Sequence, residues 1–168
     1  MRIVRSLKYP ASIETVTMML AQPTFWDHVA AANGAIDSTT GITGDDRTTR
    51  VVTAETHAIT PASPALRRFV GGPTRVVRDM LLEGTHATIA ISRPDRPVSI
   101  RGTATLTAAG GETVLQYDLA VRASVARVGP QVEQLIVEAT IAGIDVEHQT
   151  GMAWLDDGTL LGPLEGEE

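Results

Sequence analysis

The stretch from Gly129 to Leu155, GPQVEQLIVEATIAGIDVEHQTGMAWL, decides the fold. Apolar and small residues recur in it at i, i+3, i+4 and i+7, the spacing that places side chains on one face of a helix. That face comprises Val132, Leu135, Ile136, Ala139, Gly143, Val146, Thr150 and Ala153, whereas Glu133, Glu138, Asp145 and Glu147 fall largely elsewhere. A helix of about 26 residues is roughly 39 Å long. We therefore expect one helix that crosses a sheet from edge to edge.

The sequence before this helix predicts the sheet that it covers. Arg2–Tyr9 is expected to form a strand, and two short helices follow, the first capped by Ser12 and the second beginning near Pro23. Further strands are predicted at Ala35–Ile42, Thr48–Ile59, Thr74–Leu82, His86–Arg93, Val98–Thr107 and Thr113–Ala123, where Val, Ile and Thr are frequent. The predicted fold class is α+β, with about seven antiparallel strands in the order β-α-α-β6-α.

Length and composition predict one globular domain. The chain has 168 residues, of which we assign 1–156 to a single domain and 157–168 to an acidic, flexible tail. A net charge of -6 and a single lysine, Lys8, argue against a nucleic-acid partner, which requires clustered positive charge. The absence of cysteine excludes disulfides and thiol nucleophiles. No signal peptide or membrane-spanning segment is visible, so a cytoplasmic protein is expected.

The sequence has no motif for a cofactor, a metal ion or a covalent nucleophile. It has no P-loop, no dinucleotide-binding fingerprint and no G-x-S-x-G elbow. The four histidines, His28, His57, His86 and His148, lack paired metal-ligand spacing. We therefore expect no cofactor and no metal site.

Several short segments, in this order, resemble the START-like (SRPBCC, pollen-allergen-like) superfamily, and within it an uncharacterised bacterial family. They are YPAS…E at Tyr9–Glu14, QPTFW at Gln22–Trp26, PALRRFVGG at Pro64–Gly72, the strand pair around Gly110-Gly111, and GPQVE…W at Gly129–Trp154. The resemblance covers nearly the whole chain. It implies a helix-grip fold, in which a curved sheet wraps around the C-terminal helix and leaves an apolar cavity. Members of the superfamily bind lipids, sterols or polyketides, and some cyclise or hydrolyse them.

The residues that could border such a cavity come from both layers. Small residues would leave room between sheet and helix, namely Gly102, Ala104, Ala139 and Gly143. The larger side chains Met80, Leu82, Ile89 and Tyr117 could border that space or fill it from the sheet side. The scarcity of aromatic residues, 4% of the chain, favours fatty chains over flat rings as ligands.

Three ionisable residues on the predicted strands are weak catalytic candidates. Glu55 and His57 are two positions apart and so share a strand face, where burial would let them transfer protons. Asp79 interrupts the apolar run VVRDMLL. The alternative is an exposed charged stripe, since one face of an antiparallel sheet is commonly solvated.

Positive charge is concentrated around one loop of this acidic chain. Arg67, Arg68, Arg75 and Arg78 lie within twelve positions, beside Phe69. Guanidinium groups suit carboxylate or phosphate, so this loop could hold the acidic head of an amphipathic ligand. These arginines could equally be solvated or paired with acidic residues.

Three functions remain open from the sequence. The first is a binder or carrier of a hydrophobic small molecule, such as a lipid, a fatty chain or a polyketide. The second is a polyketide cyclase or aromatase, a dehydratase, or a hydrolase without a covalent nucleophile, acting in the same cavity. The third is a protein-interaction or regulatory module that uses the arginine-rich loop or an end of the long helix.

Overall fold

The computed structural model describes residues 1–59, 64, 67 and 72–157. The elements in chain order are β1 (Arg2–Tyr9), α1 (Ile13–Leu20), α2 (Pro23–Ala32), β2 (Asp37–Gly44), β3 (Thr48–Ile59), β4 (Gly72–Glu83), β5 (His86–Ser92), β6 (Val98–Ala109), β7 (Glu112–Ala123) and α3 (Gly129–Asp156). The strands form one curved antiparallel sheet in the order β1-β7-β6-β5-β4-β3-β2. The predicted α+β fold is confirmed.

Alternation of apolar and polar residues defines the inner face of the sheet. In β7 every second residue is buried, from Thr113 through Leu115, Tyr117 and Leu119 to Val121. The β6–β7 hairpin turns at Gly110 and Gly111, whose φ angles of 59° and 84° lie in the left-handed region that favours glycine. The alternation thus fixes which face of the sheet packs against the helices.

The two short helices pack against the sheet at different places, α1 against β6 and β7 and α2 against β2. The Ser12 hydroxyl caps α1 by accepting from the Thr15 backbone N–H at 3.2 Å. Pro23 occupies the first turn of α2, where the missing N–H costs nothing. Trp26 is 2% exposed, and its indole Nε1–H donates to the Leu20 carbonyl at 2.8 Å, which ties α2 to the end of α1.

The long helix runs along the sheet, and the prediction that it crosses from edge to edge is wrong. Near its start, Glu133 accepts from the backbone N–H of Ala123, at the end of β7. Towards its other end, His148 Nε2 lies 2.8 Å from the Lys8 carbonyl in β1. The 28 residues of α3 are about 42 Å long, and the 12 residues of β7 are about 40 Å long. The helix therefore matches the length of β7 and follows the β1–β7 pair.

The buried face of α3 differs from the predicted one in its second half. The fully buried residues are Gly129, Val132, Ile136, Ile144, Glu147 and Gly151. Val146 and Thr150 instead line a groove against His28 and Ala32 of α2. Glu147, which the sequence pattern placed on the polar side, is 1% exposed, because buried polar partners satisfy its carboxylate. The apolar pattern therefore located the helix but not its exact contact face.

Two sequence predictions concern segments that the structure leaves undescribed. The proposed acidic tail, 157–168, lies outside the described residues except for exposed Asp157, which follows the last turn of α3. Of the predicted arginine-rich loop, Arg68 and Phe69 also lie outside them. Within the described part of the chain, no helix is long and apolar enough to span a bilayer.

Candidate functional site

A cavity of about 380 Å³ lies between the sheet and the middle of α3. Residues of β3, β4, β5 and β6 form its floor, and α2 and α3 form its sides. The cavity exists because α3 packs closely on β1 and β7 and leaves the inner face of the neighbouring strands uncovered. Its volume lies within the range of about 300–1,000 Å³ that is typical of small-molecule sites.

Most of the cavity wall is apolar. Trp26 and Val29 come from α2, Ile91 and Ile100 from the sheet, and Ile144 from α3. Each of these residues has a buried or half-buried side chain. Such a wall favours an apolar ligand, while the few polar groups described below would set its orientation.

A buried polar triad of Arg78, Tyr117 and Glu147 borders the cavity, with Arg78 and Glu147 in its wall and Tyr117 in the core behind them. Arg78 Nη1 donates to Glu147 Oε2 at 3.0 Å, and Arg78 Nη2 donates to the Tyr117 hydroxyl at 2.8 Å. The Tyr117 hydroxyl donates to Glu147 Oε1 at 2.5 Å. The Arg78 guanidinium also stacks over the Trp26 ring, 4.5 Å from its centroid. The charges of Arg78 and Glu147 therefore balance within the triad, while Arg78 Nε is buried without a hydrogen-bond partner among the described residues.

The triad changes the acidity of its members. Burial raises the pKa of the Tyr117 hydroxyl well above its usual value, although the adjacent Arg78 guanidinium opposes the shift. Burial acts to lower the pKa of Arg78, but Tyr117 and Glu147 outweigh it, so that pKa is raised. Tyr117 therefore stays a neutral hydrogen-bond donor and Arg78 stays charged.

Glu55 and His57 form a second polar group in the cavity wall. Both side chains lie on the inner face of β3, and His57 Nε2 is 2.7 Å from Glu55 Oε2. Their exposures are 16% and 21%, respectively, so they reach both the cavity and solvent. A carboxylate hydrogen-bonded to an imidazole is an arrangement that can accept or donate a proton.

Arg93 is a third polar group, immediately after β5, and it differs from Arg78. Arg93 is 9% exposed and lines the cavity. Its buried Nη1 has no hydrogen-bond partner among the residues that the structure describes. Burial lowers the pKa of the guanidinium, while nearby Asp95 opposes that shift. The cavity thus contains a charged donor that the described residues leave unsatisfied.

The structure places the predicted cavity residues in two groups. Ala139 and Gly143 line the cavity, at its α3 side. Met80, Leu82, Ile89, Ala104 and Tyr117 lie in the packed core, each between 1% and 4% exposed. Gly102 is half-buried where the backbones of β6 and β7 approach closely. A Cβ at this position would lie 2.0 Å from the Asp118 carbonyl oxygen, so the strand pair requires glycine here.

Of the remaining predicted residues that the structure describes, Arg78 lines the cavity, whereas Asp79, Arg67 and Arg75 do not. Asp79 points to the outer face of the sheet, where Arg50 Nη2 donates to its carboxylate at 2.5 Å and holds the pKa of Asp79 below its usual value. Arg75 and Arg67 are exposed, and Arg78 is turned inward away from them. Arg68 and Phe69 lie outside the described residues. Of the three arginines that the structure describes here, Arg67 and Arg75 are therefore exposed and Arg78 lines the cavity.

Sequence reasoning missed three important residues of the site, Trp26, Arg93 and Glu147. The signal for Arg93 was present, because it continues the alternation of Ile89 and Ile91 on the inner face of β5. Glu147 gave no such signal, since its partners are 30 and 69 positions away. In the described part of the chain, no group of three or more His, Cys, Asp or Glu side chains could hold a metal ion.

Solved structures with the same fold share little sequence with this chain. TTHA0849 from Thermus thermophilus is 9% identical, with a TM-score of 0.66 over 95% of this chain and 99% of that chain. A conserved protein from Geobacillus kaustophilus is 17% identical, with a TM-score of 0.60 over 91% and 95%. Dicamba monooxygenase, solved with 3,6-dichlorosalicylic acid bound, is 12% identical, with a TM-score of 0.52 over 96% and 53%.

The family comparison extends over nearly the whole domain. No curated protein matches the chain. The model of a family described as "Protein of unknown function (DUF2505)" matches residues 5–155, which run from β1 to the last turn of α3. The chain therefore belongs to the DUF2505 family.

Proposed function

We propose that this protein binds a small hydrophobic molecule in the cavity between the sheet and α3. The observation that carries the proposal is the cavity itself, about 380 Å³ with a largely apolar wall and a few buried polar groups. An apolar surface of this kind gains free energy when a ligand replaces water, at about 25 cal/mol per Å² of buried area. The ligand class is that of the START-like superfamily, whose membership we propose on the resemblance of the sequence and the order of the elements.

Two further observations support a ligand rather than an incompletely filled core. Met80 and Ile89, which lie two residues from the cavity-lining Arg78 and Ile91 on the same strands, are fully buried, so the cavity lies beside a closed core. Dicamba monooxygenase, which has a similar fold in about half of its chain, was solved with a small aromatic acid bound. That comparison supports the fold's capacity for small ligands and says nothing of their identity here.

Binding of a neutral probe tests the proposal without assuming a head group. We expect 1-octanol to bind with a heat of binding measurable by calorimetry and to shift the NMR signals of Ile91, Ile100 and Ile144 methyl groups. Gly143→Phe would place a large ring at the cavity wall, so it should weaken octanol binding by about tenfold or more. Glu138→Phe adds the same ring at an exposed position of α3 outside the cavity and serves as the matched control.

Two results of these binding experiments would refute the proposal. If 1-octanol and other neutral probes of similar size produced no shift at those methyl groups, the cavity would not be a hydrophobic binding site. Equal loss of binding in Gly143→Phe and Glu138→Phe would place the binding elsewhere.

A second candidate function is proton-transfer catalysis in the same cavity, as in a cyclase or aromatase. The specific observation is the hydrogen bond between Glu55 and His57 in the cavity wall. A test is the exchange of hydrogen for deuterium at the carbons beside the carbonyl of 2-octanone, followed by NMR in D₂O. Catalysis by this pair predicts exchange above the buffer rate that falls in both Glu55→Gln and His57→Asn. Exchange at the buffer rate, or exchange unchanged in both variants, would exclude this role.

A further inference from the structure

We propose that the ligand is a hydrophobic carboxylic acid whose carboxylate is bound by Arg93. This inference rests on the proposed function and adds the class of head group. It depends on one fact, that Arg93 is a buried guanidinium in the cavity wall with a donor left unsatisfied by the described residues. A buried charge without a partner is costly, and a ligand carboxylate would supply that partner.

The neighbouring acidic groups do not neutralise Arg93. Asp95 is the acidic residue close enough to affect it, but the Asp95 side chain is 51% exposed and lies 3.7 Å from the Arg96 guanidinium. Glu55, also in the cavity wall, is hydrogen-bonded to His57. The segment 60–71, which connects β3 to β4, contains no aspartate or glutamate. A carboxylate from a ligand is therefore the partner that this position lacks.

The contrast with Arg78 identifies which arginine would bind the ligand. Two donors of Arg78 are used by Glu147 and Tyr117, and its charge is balanced inside the triad. Arg78 Nε is also buried without a hydrogen-bond partner among the described residues, but the Arg78 charge is balanced by Glu147, whereas no carboxylate of those residues is hydrogen-bonded to Arg93. A planar guanidinium can bind a carboxylate through two parallel hydrogen bonds, which fixes the orientation of the ligand.

The arrangement of polar and apolar residues in the cavity would allow such a ligand to bind in one orientation. Arg93 follows β5, and Ile91 lies two residues before it on the same face, paired with Ile100 of β6. A carboxylate at Arg93 would therefore lead its apolar chain over these two side chains towards Ile144 of α3. This arrangement separates charge from apolar surface along the cavity.

The test compares octanoate with 1-octanol, which differ in the head group and share the chain. We expect the wild-type protein to bind octanoate at least tenfold more tightly than 1-octanol, as measured by calorimetry at pH 7. Arg93→Met keeps the length of the side chain and removes the charge, so it should weaken octanoate binding about tenfold to hundredfold and 1-octanol binding much less. Arg101→Met, on the exposed outer face of β6, is the matched control and should change neither.

Further measurements keep the test decisive. Arg93→Lys retains the charge without the planar fork and should keep a preference for octanoate that is smaller than that of the wild type. The urea unfolding midpoint of Arg93→Met should equal or exceed that of the wild type, because a buried charge is removed. That result separates a ligand-binding role from a structural one.

Three outcomes would overturn the inference. If octanoate bound no more tightly than 1-octanol, Arg93 would not select a carboxylate, although the hydrophobic site would stand. If Arg93→Met weakened the binding of both probes equally, the residue would have a role in packing. Binding of neither probe would refute the proposed function together with the inference.

Discussion

Replacing Glu147 by leucine should destabilise the protein strongly, because it removes the acceptor of a buried arginine. The Glu147 side chain is 2% exposed and that of Arg78 is 17% exposed, so water cannot readily compensate the guanidinium. Breaking one partner of a buried pair costs about 3–5 kcal/mol. The Tyr117 hydroxyl still accepts one hydrogen bond and the Trp26 ring still faces the charge, which places the expected loss near 3 kcal/mol.

A double-mutant cycle separates this loss from the value of the pair. The double variant Arg78→Met with Glu147→Leu leaves no buried charge in the triad and should recover to within about 1–2 kcal/mol of the wild type. Urea unfolding at pH 7, with equal slopes for all variants, gives the four free energies of unfolding. Arg78→Met alone should cost less than Glu147→Leu alone, since the Tyr117 hydroxyl still donates to the Glu147 carboxylate in the first variant.

Asp145→Leu is the matched control on the same helix. Its partner is Arg5, but the two side chains are 45% and 41% exposed, so the loss should stay below about 1 kcal/mol. A cost for Glu147→Leu as small as that of Asp145→Leu would refute the buried triad. So would a double variant whose loss equals the sum of the two single losses.

Two glycines of α3 and one outer-face ion pair give the remaining predictions. Gly151→Ala should lower the free energy of unfolding by about 1–3 kcal/mol, because its Cβ would lie 2.6 Å from Cε1 of Tyr9. A Cβ at Gly143 would meet nothing closer than 3.9 Å, so Gly143→Ala should raise the thermal midpoint through about 0.5–1 kcal/mol of helix propensity. A stabilising Gly151→Ala together with a destabilising Gly143→Ala would contradict the packing described. The Arg50 guanidinium lowers the pKa of Asp79 in the folded protein. The stability that ionised Asp79 contributes is therefore present above the unfolded pKa of about 3.9, and it is lost as pH falls through the lower folded pKa. Asp79→Asn should therefore reduce the loss of stability between about pH 5 and pH 3, by less than about 1 kcal/mol because both side chains are partly exposed; an unchanged acid profile would exclude that contribution.

The strands could be predicted from the sequence because their burial follows a period of two. The segment predicted as Thr48–Ile59 is found with those bounds, and Thr113–Ala123 differs from the observed β7 by one residue. In an antiparallel sheet with one buried face, each strand alternates apolar and polar residues, and this alternation is visible in the sequence. The same holds for the existence of α3, although the pattern could not determine which strands it covers. That depends on contacts between its ends and the distant residues Ala123 and Lys8.

The site was harder to predict than the fold, for a physical reason. Glu55 and His57 were recognised as a pair because neighbours of the same strand face are defined locally. Glu147 was assigned to a solvated face, since a carboxylate is rarely buried without partners and its partners lie on two other elements. Arg93 is an arginine at the end of a strand, which is usually a solvated position. Its alternation with the two isoleucines of β5 indicates the inner face but not burial, and the long-range pairing of Glu147 has no local signature.

The path of α3 along the pair formed by the first and last strands affects how the chain can be assembled. The strands β2 to β7 pair with their sequence neighbours, so they can form successive hairpins as they leave the ribosome. β1 cannot pair until β7, more than a hundred residues later in the chain, has been synthesised. The hydrogen bond of 2.8 Å from the Met1 amino group to the Val121 carbonyl also forms only after that. α3 is synthesised later still. The apolar inner face of a nearly complete sheet is therefore exposed until translation of the last helix, and that nascent intermediate is where chaperone binding or aggregation would compete with folding.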